Sequence, residues 1–166
     1  MEALRAAGID AAPLRIGSCR SAAEAAHAVG CEVDRIAKSI VFACGAGCAV
    51  FLAAGGRQVD LDRAAALAGA RLERADAAHV RAVTGFAIGG VSPLGHLTPS
   101  PVWLDRHLLA FPTVWAAAGT PDHVVELAPD DLRRAAGATV ADFTYPKSSW
   151  QSSSPSTSRS TSSGVL

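Results

Sequence analysis

The chain has 166 residues, of which 49% are hydrophobic, and its 15 Lys and Arg are balanced by 15 Asp and Glu. This length and composition fit one compact domain with a sizeable core, and they exclude collagen, coiled coil and full-length disorder. A formal charge of zero argues against coating of nucleic acid or anionic membrane by bulk electrostatics, so any nucleic-acid contact must be local.

Helical and extended patterns alternate along residues 1–144. Ser21 and Glu24 form a capping box that opens a helix, which Gly30 closes. Two short runs, 35–43 and 48–53, flank a glycine-rich turn and predict a β-hairpin. Strands and helices therefore begin to interleave early in the chain.

The same alternation continues to residue 143. Asp60 or Asp62 caps a helix ending near Ala68, and Asp76 caps another ending near Thr84. The later predicted elements are strands at 102–104, 113–117 and 124–127, a helix that starts at Pro129, and a strand at 139–143. The hairpin and the closely spaced later strands favour an α/β (α+β) fold with a mixed sheet.

The last 22 residues, 145–166, contain 12 Ser or Thr and predict a disordered tail after a single domain at 1–144. No apolar run reaches the ~18 residues that cross a bilayer, and the N-terminus lacks the pattern of a secretion signal. We therefore expect a cytoplasmic protein without a membrane partner.

The four cysteines are Cys19, Cys31, Cys44 and Cys48. Cys44 and Cys48 flank the hairpin turn, where they could form a disulfide or half of a zinc site. The usual second pair of zinc ligands is missing, which favours buried free thiols and no metal.

Lys38 is the single lysine among residues 1–144, which hold twelve arginines. It lies in an apolar strand, where desolvation lowers a lysine pKa and strengthens its attraction for anions, as a catalytic or oxyanion-binding group requires. The alternative is an edge-strand lysine that discourages aggregation.

A glycine-rich segment at 85–96 predicts an ordered loop. Gly89 and Gly90 can direct their N–H groups at one acceptor, as a carbonyl or oxyanion site requires, although a tight structural turn is the alternative. His96 is a candidate acid or base, whereas the other four histidines are expected at the surface or in packing contacts.

Two further segments contain candidate site residues. Asp105 follows a predicted strand and either faces a pocket or forms a turn. The small residues before Gly119 leave space if they line a cavity.

Taken in order, these segments resemble the YbaK/ProX family of aminoacyl-tRNA deacylases, which includes the editing insertion domain of bacterial prolyl-tRNA synthetases. The resemblance spans residues 21–143. It is carried by the Ile36-Ala37-Lys38-Ser39-Ile40-Val41-Phe42 strand and the Gly85-Phe86-Ala87-Ile88-Gly89-Gly90-Val91-Ser92-Pro93-Leu94-Gly95-His96 loop. Asp105, the Ala118-Gly119-Thr120-Pro121 turn and the segment 125–132 follow.

The resemblance implies a mixed, barrel-like sheet of six or seven strands surrounded by helices, with a pocket between the lysine strand and the glycine loop. Lys38 is then the essential lysine. The implied substrate-binding residues are Gly89, Gly90, Val91, Ser92, Pro93, Gly95, His96, Asp105 and Gly119.

The implied reaction is trans-editing hydrolysis of mischarged aminoacyl-tRNA, typically a proline tRNA, without metal or organic cofactor. An aminoacyl ester is already activated, so positioned water and oxyanion stabilisation suffice. Lys38 can stabilise the oxyanion or grip the terminal phosphate or ribose. Expected partners are the tRNA acceptor end, with Arg15, Arg20, Arg35 and Arg57 as candidate contacts, and an aminoacyl-tRNA synthetase.

Two other functions are compatible with the sequence. One is a non-catalytic module that binds tRNA or a synthetase and keeps the pocket. The other is a small-molecule hydrolase, which accounts for the lysine but not for the loop.

Overall fold

The computed structural model describes residues 2–147. Within this range the helices are α1 (Glu2–Ala6), α2 (Ala22–Val29), α3 (Leu61–Ala68), α4 (Ala77–Thr84) and α5 (Pro129–Ala136), with 3₁₀ helices at Val33–Arg35 and Arg106–Ala110. The strands are β1 (Leu14–Arg15), β2 (Ile36–Cys44), β3 (Gly47–Ala54), β4 (Arg57–Val59), β5 (Glu73–Arg74), β6 (Val102–Asp105), β7 (Val114–Ala117), β8 (His123–Leu127), β9 (Thr139–Ala141) and β10 (Thr144–Pro146).

The strands form a mixed main sheet of eight strands and a separate pair. The main order is β1-β8-β7-β2-β3-β6-β9, with β5 paired to β2, while β10 pairs with β4. The central β2–β3 hairpin is antiparallel, and β7 and β6 lie parallel to its two strands. The expected fold class is confirmed. The strand number exceeds six or seven because β1 and β5 have two residues each, too few for a sequence pattern to show.

Local capping chemistry explains where the helices begin. The Ser21 hydroxyl accepts the Glu24 N–H, as the capping box predicts, while the Glu24 carboxylate accepts the N–H of Arg20. Asp60, rather than Asp62, caps α3, and Asp76 caps α4. These helices then pack against the sheet through their buried alanines and valines.

The hairpin is buried on both faces, and strand alternation assigns its side chains to them. We call the face that carries Ala37, Val41 and Leu52 the inner face; it belongs to the largest core cluster, with residues of α1, α5 and the glycine loop. The outer face carries Ile40 and Phe51, and it packs against α3 and Phe143. Lys38, two residues before Ile40, is on the outer side.

Strand β10 extends the folded chain beyond residue 144, where the sequence placed the domain boundary. Tyr145 pairs with Gln58 and Pro146 with Arg57, so backbone pairing holds residues whose composition alone gives no sign of order. Among the described residues, strand pairing therefore continues to Pro146, past the boundary that the sequence predicts at 144. The rest of the expected tail lies outside the described residues.

No helix among residues 2–147 is long and apolar enough to span a membrane.

The turn between β3 and β4 packs tightly against the 3₁₀ helix that precedes β2. A Cβ atom at Gly55 would lie 2.2 Å from the carbonyl oxygen of Val33, while Asp34 accepts the N–H of Gly56 at 2.8 Å. These contacts fix the end of β3 beside the start of β2, where Lys38 lies.

We expect Gly55→Ala to lower the free energy of unfolding by about 2 kcal/mol, because a backbone carbonyl must move to admit the new methyl group. Gly47→Ala is the control, since the nearest atom to its Cβ is an oxygen at 3.8 Å, and it should change stability by less than about 0.5 kcal/mol. Urea unfolding measures both. Equal stability of the two variants would contradict the close packing of this turn.

Candidate active site

Lys38 is buried at the start of β2, and only 4% of its surface is exposed. Its ammonium group donates a hydrogen bond to the backbone carbonyl of Arg57 on β4. The partner of this buried cation is thus a neutral carbonyl. Its positive charge is not cancelled by a carboxylate in direct contact.

Burial lowers the pKa of Lys38 from 10.5 to about 8, and the nearby charge of Lys147 acts in the same direction. The charges of Asp34 and Asp105 oppose this shift but do not overcome it. With a pKa of about 8, the ammonium form predominates at neutral pH, and a moderate rise in pH removes its charge.

Asp105 is the centre of a buried hydrogen-bond network next to Lys38. Its fully buried carboxylate accepts the Ala54 N–H at 3.1 Å and the Thr144 hydroxyl at 2.9 Å. Thr144 in turn accepts the Nε–H of Arg57 at 2.8 Å. The network therefore connects β3, β6, β10 and the residue whose carbonyl holds Lys38.

The same carboxylate also binds His107, in the 3₁₀ helix that follows β6. Asp105 Oδ1 accepts the backbone N–H of His107 at 3.1 Å and contacts its Nδ1 at 2.9 Å. A carboxylate only accepts hydrogen bonds, so Nδ1 carries the proton and Nε2 keeps its lone pair. About half of the His107 side chain, 47%, is exposed.

The glycine-rich loop is held by bonds within itself. Gly90 donates its N–H to the Ala87 carbonyl at 3.0 Å, so this N–H is not directed at an external acceptor as the sequence suggested. The Ser92 hydroxyl accepts the N–H of Leu94 at 3.2 Å, and the Ser92 carbonyl accepts the Nε2–H of His96 at 2.7 Å. Burial lowers the pKa of His96, which is consistent with a neutral ring bonded inside the loop.

Beside this loop lies a cavity of about 370 Å³. The loop contributes Phe86, Ser92, Pro93, Leu94 and Gly95 to its lining; the other lining residues are Ala116, Ala117, Ala118, Val125, Leu127, Leu132 and the α1 residues Glu2, Ala3 and Leu4. Small and apolar side chains form most of this surface. It suits a compact apolar group.

Lys38 does not line this cavity. The cavity shares Leu4, Leu94 and Ala116 with the inner core cluster, whereas alternation along β2 directs Lys38 to the outer face. This cavity therefore differs from the pocket that the resemblance implies, because the loop lines it and Lys38 does not. The two sites are nevertheless adjacent in the sheet, because Ala116 on the cavity floor pairs with Ala37.

The remaining sequence candidates have defined places. Gly90 packs on the turn after Gly119, Gly89 has no atom within 4 Å of its Cβ position, and Val91 is buried in a core cluster with residues 75 and 80. A Cβ atom at Gly119 would lie 3.3 Å from the Phe86 ring. A Cβ atom at Gly90 would lie 2.6 Å from the carbonyl carbon of Thr120. Close packing, rather than a need for free N–H groups, thus explains glycine at this position.

Three of the four candidate arginines have partners within the protein. Arg15 pairs with Asp122, Arg35 binds Thr113 and Glu126, and Arg57 binds Thr144.

All four cysteines are free thiols. No group of His, Cys, Asp and Glu among residues 2–147 is arranged to hold a metal ion.

Sequence reasoning missed Thr144, His107 and Ser39. Thr144 fell outside the predicted elements, whereas the Asp-x-His spacing of Asp105 and His107 was a readable signal. Ser39, next to Lys38 in β2, is buried, and its hydroxyl is the one buried side-chain polar atom without a hydrogen-bond partner among residues 2–147.

Comparison with known proteins identifies the family. Residues 17–135 match the aminoacyl-tRNA editing domain. The chain is 36% identical over 111 residues to "Uncharacterized protein YwhH" of Bacillus subtilis, covering 66% of this chain and 70% of that protein. It is 28% identical over 126 residues to "Putative Cys-tRNA(Pro)/Cys-tRNA(Cys) deacylase EbsC" of Enterococcus faecalis, covering 75% and 77%.

Solved structures agree with this match. A crystal structure of "a putative trans-editing enzyme for prolyl tRNA synthetase" has 44% identity and a TM-score of 0.82, over 87% of this chain and 93% of that one. That of "hypothetical protein APE2540" has 29% identity and a TM-score of 0.79, over 87% and 97%.

The chain belongs to the YbaK/ProX family of aminoacyl-tRNA editing domains. Its enzymatic class is that of the aminoacyl-tRNA deacylases, which hydrolyse the ester of an amino acid wrongly attached to tRNA.

The lowered pKa of Lys38 predicts a pH-dependent stability difference between the wild type and Lys38→Met. Between pH 8 and pH 10.5 the unfolded lysine is protonated and the folded one is not, so the wild type gains stability as pH rises through this window. The gain relative to Lys38→Met should be on the order of 2 kcal/mol.

Urea unfolding of both proteins at several pH values measures this difference, in which the other titrating groups cancel. A constant difference from pH 7 to pH 10 would contradict a buried ammonium at this position.

We expect Gly90→Ala to displace the loop from the 120–121 turn and to lower deacylation by on the order of tenfold or more, because small displacements in a binding site are costly. Gly89→Ala is the matched comparison. Gly89 has a φ of +90° but no atom within 4 Å of its Cβ position, so this variant should show strain of about 1 kcal/mol and a smaller loss of activity.

Deacylation rates and thermal unfolding separate the two effects. A Gly90→Ala variant with wild-type activity would show that the packing of the loop on the turn is unimportant for the reaction.

Proposed function

We propose that this protein acts in trans, in the cytoplasm, to hydrolyse mischarged aminoacyl-tRNA, and that its tRNA is a proline tRNA. The supporting similarity is to the structure described for prolyl tRNA synthetase and to the Enterococcus protein named for Cys-tRNA(Pro) and Cys-tRNA(Cys). The expected partners are the tRNA acceptor end and an aminoacyl-tRNA synthetase.

The observation that carries the proposal is the buried ammonium group of Lys38. A lysine that is 4% exposed and bonded to a carbonyl keeps its charge in a desolvated place, where its attraction for an anion is strong. Ester hydrolysis develops such an anion on the carbonyl oxygen. The tRNA backbone brings further anions as phosphates.

Lys38 stabilises the developing oxyanion in this proposal. When the substrate enters, the ammonium exchanges its bond to the Arg57 carbonyl for one to the ester oxygen. The ammonium charge stabilises the transition state more than the bound substrate, because the negative charge on the ester oxygen develops there. It therefore raises the rate constant more than it strengthens binding. A lysine that only grips a phosphate would act mainly on KM.

The cavity beside the loop holds the amino-acid side chain in this proposal. Its floor of Ala116, Ala117 and Ala118 leaves room for an apolar or small side chain, and Phe86 and Leu94 close its sides. The Ala37–Ala116 pair places this floor on the strand next to β2, about 5 Å away in a sheet. Lys38 follows Ala37 in β2, on the opposite face.

A panel of proline tRNAs charged with alanine, cysteine, serine or proline tests the function directly. We expect faster release of at least one wrong amino acid than of proline, with a second tRNA carrying the same amino acid as the control for tRNA choice. A protein that binds the tRNAs but releases none of the amino acids would support a binding module instead.

We expect Lys38→Ala to lower the single-turnover deacylation rate by ~10²-fold or more, the size of effect of one oxyanion-stabilising group. Lys147→Ala is the matched control because Lys147 is an exposed lysine whose charge reaches Lys38, and this variant should stay active. A KM effect without a rate effect in Lys38→Ala would assign the lysine to phosphate binding.

The pH profile gives an independent readout. Activity should fall as pH rises through about 8, the pKa of Lys38, because the ammonium form is the active one. Removal of Lys147 removes a like charge that lowers this pKa, so Lys147→Ala should move the alkaline fall to higher pH. An unmoved fall would show that another group causes it.

A further inference from the structure

We propose that His107, held by the buried carboxylate of Asp105, is the general base that activates the hydrolytic water. This inference rests on the proposed deacylation and adds a catalytic residue to it. The hydrogen bond of the imidazole ring to Asp105 uses Nδ1 and leaves Nε2 as the nitrogen that can accept a proton.

The Asp105–His107 pair has the geometry of an oriented base. Asp105 is fully buried, and its other oxygen is fixed by Ala54 and Thr144, so the carboxylate cannot turn away from the ring. The 2.9 Å contact makes Nδ1 the donor to the carboxylate, so Nε2 carries the lone pair in the neutral ring. The His107 side chain is 47% exposed, so the ring is accessible to water.

Hydrogen bonds to the backbone and the side chain of Arg57 connect this pair to Lys38. Lys38 donates to the Arg57 carbonyl, the Arg57 side chain donates to Thr144, and Thr144 donates to Asp105. The charge of Asp105 also acts on the pKa of Lys38. The base and the cation are therefore parts of one assembly at the same end of the sheet.

The other hydrogen-bonded histidines lack this arrangement. His79 and His96 use Nε2 on backbone carbonyls. His123 contacts Asp122 at 2.9 Å, but that carboxylate is 31% exposed, also binds Arg15 and Thr120, and has no link to Lys38. His123 is thus a natural control for an Asp–His pair outside the proposed centre.

The charged groups near His107 come from the elements packed on its 3₁₀ helix. They are Asp105 on β6, Asp34 and Arg35 on the preceding 3₁₀ helix, Asp130, Asp131, Arg133 and Arg134 on α5, and the neighbouring Arg106. Arg106 pairs with Asp142, Arg35 with Glu126, and the α5 charges pair among themselves. Asp105 is the charged group hydrogen-bonded to the ring.

The proposed reaction is hydrolysis of the ester between the amino acid and the ribose. Nε2 of His107 takes a proton from water while the water oxygen bonds to the ester carbon, and the carbonyl electrons move to its oxygen beside the Lys38 ammonium. The tetrahedral intermediate collapses, the bond to the ribose oxygen breaks, and the imidazolium returns the proton to that oxygen. The products are the amino acid, which loses its acid proton to solvent, and tRNA with a free hydroxyl. Asp105 stabilises the transient imidazolium.

The decisive variant is His107→Asn, because the asparagine amide nitrogen can replace Nδ1 as donor to Asp105 while nothing replaces Nε2. We expect single-turnover deacylation to fall by ~10²-fold or more with little change in KM. The matched control His123→Asn should keep wild-type activity. Thermal unfolding of both variants checks that the fold is retained.

Two readouts separate a base from a structural residue. The first is the split between the single-turnover rate and KM, because loss of a base in His107→Asn should lower the rate and leave KM unchanged. Added imidazole should restore part of the activity of His107→Gly but not of Lys38→Ala.

An active wild type with a His107→Asn variant within threefold of it would overturn this proposal and leave the deacylase function standing. Failure of imidazole to rescue His107→Gly, with the loss in His107→Asn confined to KM, would also overturn it. A wild type that releases no amino acid from any tested tRNA would overturn the deacylation on which it rests.

Discussion

The buried carboxylate of Asp105 is the interaction on which the candidate centre depends. A carboxylate removed from water is destabilising unless it is hydrogen-bonded, and here backbone and side-chain donors from β3, β10 and the 3₁₀ helix after β6 supply those bonds. They also fix the ends of three chain segments relative to one another. The ammonium of Lys38 and the imidazole of His107 owe their relative placement to these bonds.

Much of the fold follows from local sequence chemistry. Ser21, Asp60 and Asp76 each cap a helix because their side chains reach the first free N–H groups, and the two apolar runs around the hairpin turn form β2 and β3. Strand β10 could not be predicted in this way, because its order comes from Gln58 and Arg57, which are distant in sequence. Residues in a polar segment with little apolar surface can thus be ordered by pairing with a strand.

The site was only partly readable, for a related reason. Lys38 is conspicuous as a lone lysine in an apolar strand, and its burial follows from that setting. The side of the sheet on which Lys38 lies depends on how helices and loops cover each face. Its position on the outer face separates Lys38 from the loop cavity. The loop glycines predicted free backbone N–H donors, but the N–H of Gly90 donates to the carbonyl of Ala87. His107 was expected at the surface or in packing contacts, because its spacing from Asp105 does not show that this carboxylate is buried.

The position of Thr144 in the network has a consequence for the order in which the protein is made. The hydrogen bond between Thr144 and Arg57 joins residues 87 positions apart in the sequence. The centre therefore depends on a long-range contact. During synthesis the hairpin and the glycine loop leave the ribosome well before β10 does. Until that last strand pairs with β4, Asp105 lacks the Thr144 hydroxyl and Arg57 lacks its side-chain partner. The nascent chain therefore cannot complete this centre until almost the whole domain has emerged, which separates the acquisition of activity from the first folding of the sheet.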